Sequence, residues 1–74
     1  MKKIIIQTEK EVANRLRLAR IKADMSQNDL AENAGIERKT VNRIENGHFS
    51  PNLETLVRLC KALDTKLSVF LKGM

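Results

Sequence analysis

The sequence predicts a mainly α-helical fold: a compact bundle of four to five short helices, with a short β-strand expected at each end. Apolar residues recur at intervals of three and four along most of the chain, which is the spacing of one helix face. The glycines and the single proline fall between or after these periodic segments, where they separate one helix from the next. With 74 residues, the chain has room for one domain, over 1–74, and a small core.

The composition favours an anionic partner and excludes several classes of function. Fourteen basic residues stand against nine acidic ones, for a formal net charge of +5. One cysteine and one histidine are too few for a disulfide framework or an ordinary zinc site, and no glycine-rich phosphate loop is present. No apolar run reaches the roughly 18 residues of a membrane span. We therefore expect a cytoplasmic binding protein that is not an enzyme, with no metal, no cofactor and no membrane partner.

The amino-terminal part predicts a strand followed by a long helix. Residues 4–6 are three successive isoleucines, and β-branched residues favour strands. Thr8 precedes Glu11 by three residues, as in a capping box, so the first helix is expected over 9–23. Asp24 stands where a glycine or asparagine usually ends a helix in the left-handed conformation. The apolar positions of this helix step by four, three and four residues: Val12, Leu16, Ala19 and Ala23.

Two short helices around a glycine turn form a unit over 27–46. Ser26 is the expected N-cap of a helix over 27–34, and Gly35 supplies the turn. The next helix is expected over 38–46, with Gly47 ending it. A small residue at the helix crossing and apolar inner faces are typical of the helix-turn-helix, whose second helix enters a DNA major groove. The inner-face residues are Leu30, Ala31, Ala34, Ile36, Val41 and Ile44.

The carboxyl-terminal part predicts one more helix and an ambiguous tail. Asn52 is the expected cap of a helix over 53–63. In the tail, 66–72, apolar residues alternate as in a strand, but they also fit one helix face that continues from Leu63. We favour the strand, because a strand over 4–6 needs a pairing partner. The apolar face of the preceding helix consists of Leu56, Leu59, Cys60 and Leu63.

The helix over 38–46 has the side chains expected of a DNA-reading helix. The unit 27–46 has a net charge of −1, so its total charge is not the signal. At about 100° per residue, Val41 and Ile44 point to one side, and the polar residues cover an arc of about 140° on the other. All three cations of the unit lie on that arc, where arginine can grip guanine and asparagine can pair with adenine. The arc consists of Arg38, Lys39, Asn42, Arg43 and Asn46.

A spaced set of residues resembles the phage-repressor helix-turn-helix family of Cro and cI, the XRE family. The resemblance covers about 12–63, most of the chain. The sequence departs from the usual pattern at Asp24, Glu37 and Asp64, where glycine, a Ser or Thr cap, and glycine are common. The matching residues are Ser26-Gln27, Leu30-Ala31, Ala34-Gly35-Ile36, Val41, Ile44-Glu45-Asn46-Gly47, Pro51, Leu53, Leu56 and Ala62-Leu63.

The resemblance implies how the unit contacts DNA. Gln27 would lie beside the DNA backbone and touch the first base, and Asn46 with the amides around Gly47 would hold a phosphate. Thr40 could offer its methyl group to thymine or its hydroxyl group to a phosphate. We also expect phosphate contacts from polar side chains on the first helix and in the loops, namely Arg17, Lys22, Ser26, His48 and Ser50.

Arg20 and Glu45 are expected to have a structural role. Each follows an apolar core position by four residues, so each charge is half-buried and needs a partner. The resemblance pairs these two positions in a salt bridge that joins the first helix to the third.

Together these features predict a sequence-specific regulator of transcription that binds double-stranded DNA. We expect a dimeric repressor on a palindromic operator, because one unit reads only a half-site and two-fold dimers bind half-sites about 34 Å apart. A leading strand, this unit and a trailing strand also resemble HipB-like antitoxins, which repress their own operon and bind a toxin protein. A protein-interaction module that retained the fold is the main alternative. Single-stranded nucleic acid is less favoured, because stacking platforms need aromatic residues and the chain has two.

Overall fold

The computed structural model describes residues 2–74, with side chains from Thr8 onward. Five helices follow one another, and no strand occurs over 2–74, so the mainly α-helical prediction is confirmed. Helix α2 packs against both α3 and α4, while α1 packs against α3 and α5 against α4. The bounds are Lys2–Lys22 for α1, Gln27–Ala34 for α2, Arg38–Glu45 for α3, Leu53–Ala62 for α4 and Leu67–Phe70 for α5.

The strand expected over 4–6 is wrong, because these residues lie inside α1. Helix α1 also runs through Thr8, so the expected capping box does not start it. β-branched residues lower helix propensity only slightly, and adding a turn to an existing helix is much easier than nucleating one. A strand over 4–6 would also need a partner for its backbone groups, whereas a helix pairs them within itself.

The strand favoured for 66–72 is also wrong, and the helical alternative is correct. Helix α5 buries Phe70 and leaves Val69 58% exposed, whereas a strand would have placed Val69 on the same face as Leu67 and Leu71. Arg15 of α1 holds this end of the chain. Its Nη1 donates hydrogen bonds to the carbonyl oxygens of Phe70, at 2.8 Å, and of Lys72.

The core lies where α1 to α4 meet, and α5 covers one side of it. Leu16, Leu30, Val41, Ile44 and Leu59 are the largest of its fully buried side chains. One comes from each of α1, α2 and α4, and two come from α3. Replacing one large buried side chain by alanine typically lowers the free energy of unfolding by about 2–5 kcal/mol. The packing of these five residues therefore holds α3 against the other helices.

The first four helices end in the same way. A residue with positive φ follows each helix: Asp24 at 58°, Gly35 at 69°, Gly47 at 73° and Asp64 at 52°. Its own N–H and the N–H of the next residue donate to carbonyls in the last helical turn, as in a Schellman motif. The short turn at Gly35 therefore sets the direction in which α3 leaves α2.

Candidate nucleic-acid interface

Helix α3 has one buried and one exposed face. Val41 and Ile44 are fully buried, which fixes the rotation of the helix about its axis. Thr40 is partly buried. The polar side chains of the opposite face are all exposed, and we call them the reading face: Arg38, Lys39, Asn42, Arg43 and Asn46.

The two short helices, α2 and α3, differ in how their first turns are capped. Ser26 caps α2 in a full capping box, in which its Oγ accepts from the Asp29 N–H at 2.9 Å and its N–H donates to Asp29 Oδ2 at 3.0 Å. These two hydrogen bonds, the one from the Ser26 N–H first, lower the pKa of Asp29 below its ordinary value. Glu37 precedes α3 in an extended conformation but forms no side-chain cap. Buried Val41 and Ile44, rather than a cap, therefore hold α3 in place.

A largely buried ion pair joins α1 to the end of α3. Arg20 Nε donates to Glu45 Oε2 at 2.7 Å, and Arg20 Nη2 donates to Glu45 Oε1 at 3.0 Å. Arg20 Nη1 also donates to the Met25 carbonyl at 2.9 Å. The two side chains are only 15% and 3% exposed. The hydrogen bond to Glu45 raises the pKa of Arg20, while burial acts in the opposite direction, and arginine stays charged at any working pH.

From this ion pair, hydrogen bonds continue outward to the reading face. Gln27 Nε2 donates to Glu45 Oε1 at 3.2 Å, and Gln27 Oε1 accepts from Asn42 Nδ2 at 3.2 Å. Asn42 Oδ1 in turn accepts from Asn46 Nδ2 at 3.1 Å. Gln27 thus connects the first residue of α2 to the middle of α3. We call Glu45, Gln27, Asn42 and Asn46 the amide chain.

The residues expected to contact phosphates are not all brought together. Arg17 lines a shallow cleft between α1 and the end of α3, together with Asn46 and Gly47. Lys22 lines a different groove, between α1 and α5. Ser26 is exposed but already caps α2. His48 and Ser50 are exposed in the segment after α3.

The backbone amides after α3 are already engaged. The N–H of Gly47 donates to the Ile44 carbonyl at 3.0 Å, and the N–H of His48 donates to the Arg43 carbonyl at 2.9 Å. These bonds close the end of α3, so a phosphate held at this end would meet side chains rather than those two amides.

Comparison with known proteins identifies the family. The family model HTH_3, described as helix-turn-helix, matches residues 16–70. The chain belongs to the helix-turn-helix family. The resemblance to the XRE family is thereby confirmed, and α2 and α3 are the two helices of the unit expected over 27–46.

Individual relatives carry names of the same kind. An uncharacterized HTH-type transcriptional regulator of Bacillus subtilis, YgzD, is 35% identical over 73% of this chain and 82% of its own length. One from Methanocaldococcus jannaschii, MJ0272, is 32% identical over the same shares. The crystal structure of the restriction-modification controller protein C.AhdI from Aeromonas hydrophila is similar at a TM-score of 0.85 and 28% identity, over 88% of this chain and 98% of that chain. The chain therefore has the fold of helix-turn-helix DNA-binding regulators of transcription.

Three residues near the helix-turn-helix were missed in the sequence. Lys10 and Asn14 line the same cleft as Arg17, and their spacing of four and three residues along α1 could have been recognised as one helix face. The ring of Phe49 lies 5.7 Å from Arg43 Cζ, a cation–π distance. The position of Phe49 could not have been expected, because it depends on the path of the irregular segment after α3.

Within the part of the chain that the structure describes, no helix is both long enough and apolar enough to cross a membrane.

Proposed function

We propose that this chain is a sequence-specific repressor of transcription that binds a palindromic operator as a homodimer, with α3 in the major groove. The observation that carries the proposal is the reading face. Three cations and one asparagine lie exposed on α3, opposite the buried Val41 and Ile44, and a second asparagine, Asn46, is its exposed C-cap residue. Arginine side chains suit guanine and asparagine side chains suit adenine, so this face has the chemistry for reading base edges.

The surrounding residues support a binding mode in which α1 grips the DNA backbone. Lys10, Asn14 and Arg17 lie on one side of the shallow cleft, and Asn46 lies on the other beside Glu45, whose carboxylate is paired with Arg20. A phosphate beside this cleft would meet two cations on α1 while α3 occupies the groove. His48 and Ser50 would add phosphate contacts from the segment after α3. Gln27, in the first turn of α2, and Thr40, in the first turn of α3, would lie beside the DNA backbone.

A homodimer is supported by the apolar groove between α1 and α5. Leu18 and Val69 are 57% and 58% exposed, and both line this groove beside Lys22. A single helix-turn-helix reads one half-site, and a second copy would supply the other. Sedimentation of the protein on its operator would then give two chains per duplex.

Arg43→Ala provides the direct test. We expect the wild-type protein to prefer the DNA upstream of its own gene over a scrambled duplex by about 1,000-fold or more. Arg43→Ala should remove much of this preference, because it deletes a base contact, and should lower the slope of affinity against salt by about 1 if the residue also meets a phosphate. Fluorescence anisotropy between about 50 and 200 mM salt measures both quantities.

Lys61→Ala is the matched control, since Lys61 is exposed on α4 beside Asp64 and Lys66. It removes the same formal charge and should leave the preference unchanged. If both duplexes bind the wild-type protein equally weakly and lose affinity together as salt rises, the reading face does not read that sequence, and the proposal fails for this DNA.

A second candidate is the controller of a restriction-modification operon. The likeness to C.AhdI, at 28% identity over 98% of that chain, favours it. A restriction enzyme and a methyltransferase encoded beside this gene would support this candidate, whereas their absence would leave the general repressor. The names of the relatives above give no support to a toxin partner, and the antitoxin hypothesis stays a prediction.

A further inference from the structure

The amide chain has a fixed direction of donation, which starts at the ion pair. A carboxylate can only accept hydrogen bonds, so Gln27 must turn its NH₂ group toward Glu45. Gln27 Oε1 then faces the reading face and can only accept, which turns the NH₂ group of Asn42 toward it. Asn42 Oδ1 consequently points away from Gln27 and accepts from Asn46. The buried charge of Glu45 thus determines which end of each amide faces which neighbour.

Asn42 keeps one donor and one acceptor after these bonds are made. An asparagine amide has two N–H donors and two oxygen lone pairs. One donor is used toward Gln27 and one lone pair toward Asn46, and the side chain is exposed. The remaining N–H and lone pair are the pair of groups that adenine N7 and N6–H₂ require. Gln27 keeps the same two groups, but its side chain is partly buried between Glu45 and Asn42, which suits it to positioning rather than reading.

We propose that Asn42 reads an adenine in the operator and that Gln27 is a positioning residue that holds its amide in the required orientation. This inference rests on the proposed function, since it assigns one base contact to the reading face. The expected effect of substituting Asn42 or Gln27 differs from that of substituting a cation of the reading face, because the amide side chains carry no charge. Loss of either side chain removes no charge, so it should change base preference while leaving the salt dependence of binding nearly unchanged.

The experiment selects binding sites from a duplex library with a randomised central segment. It uses the wild-type protein, Asn42→Ala, Gln27→Met and, as the matched control, Asn33→Ala, which removes an exposed amide from α2 outside the amide chain. The wild type should enrich an adenine at one position of each half-site. Asn42→Ala should lose that preference by about 5- to 150-fold, the range expected for a bidentate base contact. Gln27→Met should lose part of it, and Asn33→Ala none.

A second measurement uses 7-deazaadenine, which lacks the N7 acceptor, in place of the enriched adenine. This duplex should bind the wild-type protein more weakly and should bind Asn42→Ala no more weakly than the adenine duplex does. Thermal unfolding of Gln27→Met, and the affinity of each variant for a scrambled duplex, separate a change in base preference from a loss of folded protein or of phosphate contacts.

The outcomes distinguish this inference from the proposed function. If the wild type enriches no sequence, both fail. If it enriches a sequence and Asn42→Ala keeps the same preference at every position, only the adenine contact is overturned. If Asn42→Ala loses the preference but Gln27→Met keeps it fully, Asn42 reads the base and the positioning role of Gln27 is overturned.

Discussion

Two Arg–Glu ion pairs of this protein have the same chemistry and opposite surroundings. Arg20–Glu45 joins α1 to α3 with side chains that are 15% and 3% exposed. Arg58–Glu54 lies along α4, with side chains that are 50% and 74% exposed. The first pair has two short contacts and a further hydrogen bond from Arg20 to a backbone carbonyl, whereas the second has a single contact of 3.2 Å.

The extent of burial determines how much an ion pair contributes to stability and how much is lost when one partner is removed. An exposed pair of side chains four residues apart on a helix is screened by water and contributes about 0.3–0.5 kcal/mol. A buried pair gains little net stability over apolar residues of the same shape, but removing one partner leaves an uncompensated charge. Arg20–Glu45 therefore fixes the position of α3 relative to α1, whereas Arg58–Glu54 is an ordinary surface ion pair.

Of the substitutions considered, Glu45→Gln should destabilise the protein most. It removes the negative charge beside the partly buried Arg20 and should lower the free energy of unfolding by up to about 3–5 kcal/mol. Urea denaturation followed by circular dichroism measures the change. Glu54→Gln is the matched control, because it makes the same substitution on α4, and it should stay within about 0.5 kcal/mol of the wild type. Equal, small effects of the two substitutions would show that the α1–α3 pair is not buried in solution.

Asp64→Gly should stabilise the protein at the end of α4. Asp64 has a φ of 52°, a left-handed conformation that is strained for a residue with a Cβ and unstrained for glycine. Glycine also gains more freedom in the unfolded chain, which offsets part of the benefit. We expect a stabilisation of about 0.5–1 kcal/mol, measured as a rise in Tm. Asp64→Ala retains the Cβ and should not raise the Tm, and an equal rise in both variants would contradict the backbone explanation.

A weak dependence of stability on pH is expected from the start of α2. The Ser26 N–H lowers the pKa of Asp29 in the folded protein, so the folded state holds the proton less tightly than the unfolded chain does. The resulting stabilisation is present above about pH 4 and is lost as the pH falls through the lowered pKa. Asp29→Asn should remove this part of the acid dependence of the Tm. Parallel curves of Tm against pH for the two proteins, below about pH 5, would contradict it.

The parts of the fold that could be predicted depend on neighbouring residues. The bounds of α2 follow from the Ser26 cap and from Gly35, and the start of α3 and the start of α4 were also correct. The exposed arc of α3 follows from the positions of Val41 and Ile44, and these two residues are buried. Each of these signals lies within one or two helical turns of the residues that it describes.

The parts that were missed depend on distant residues. Arg15 lies 55 residues before Phe70, whose carbonyl it holds, and no spacing in the sequence indicates that bond. The isoleucines at 4–6 have a local preference for strand, but helix elongation outweighs it. Without a strand there, the tail had no pairing partner, and α5 instead buries Phe70 while Val69 stays exposed.

Periodicity, caps and turns act over a few residues, so the sequence alone predicts a helical chain with a basic, amide-rich face on α3. The orientation of the amide groups on that face depends instead on how the helices pack. Gln27, Asn42 and Asn46 are separated along the chain, and only the packing of α1, α2 and α3 places them in line with the carboxylate of Glu45. The physical reason is that a buried carboxylate can only accept hydrogen bonds, and this constraint passes from one amide to the next until it reaches the surface.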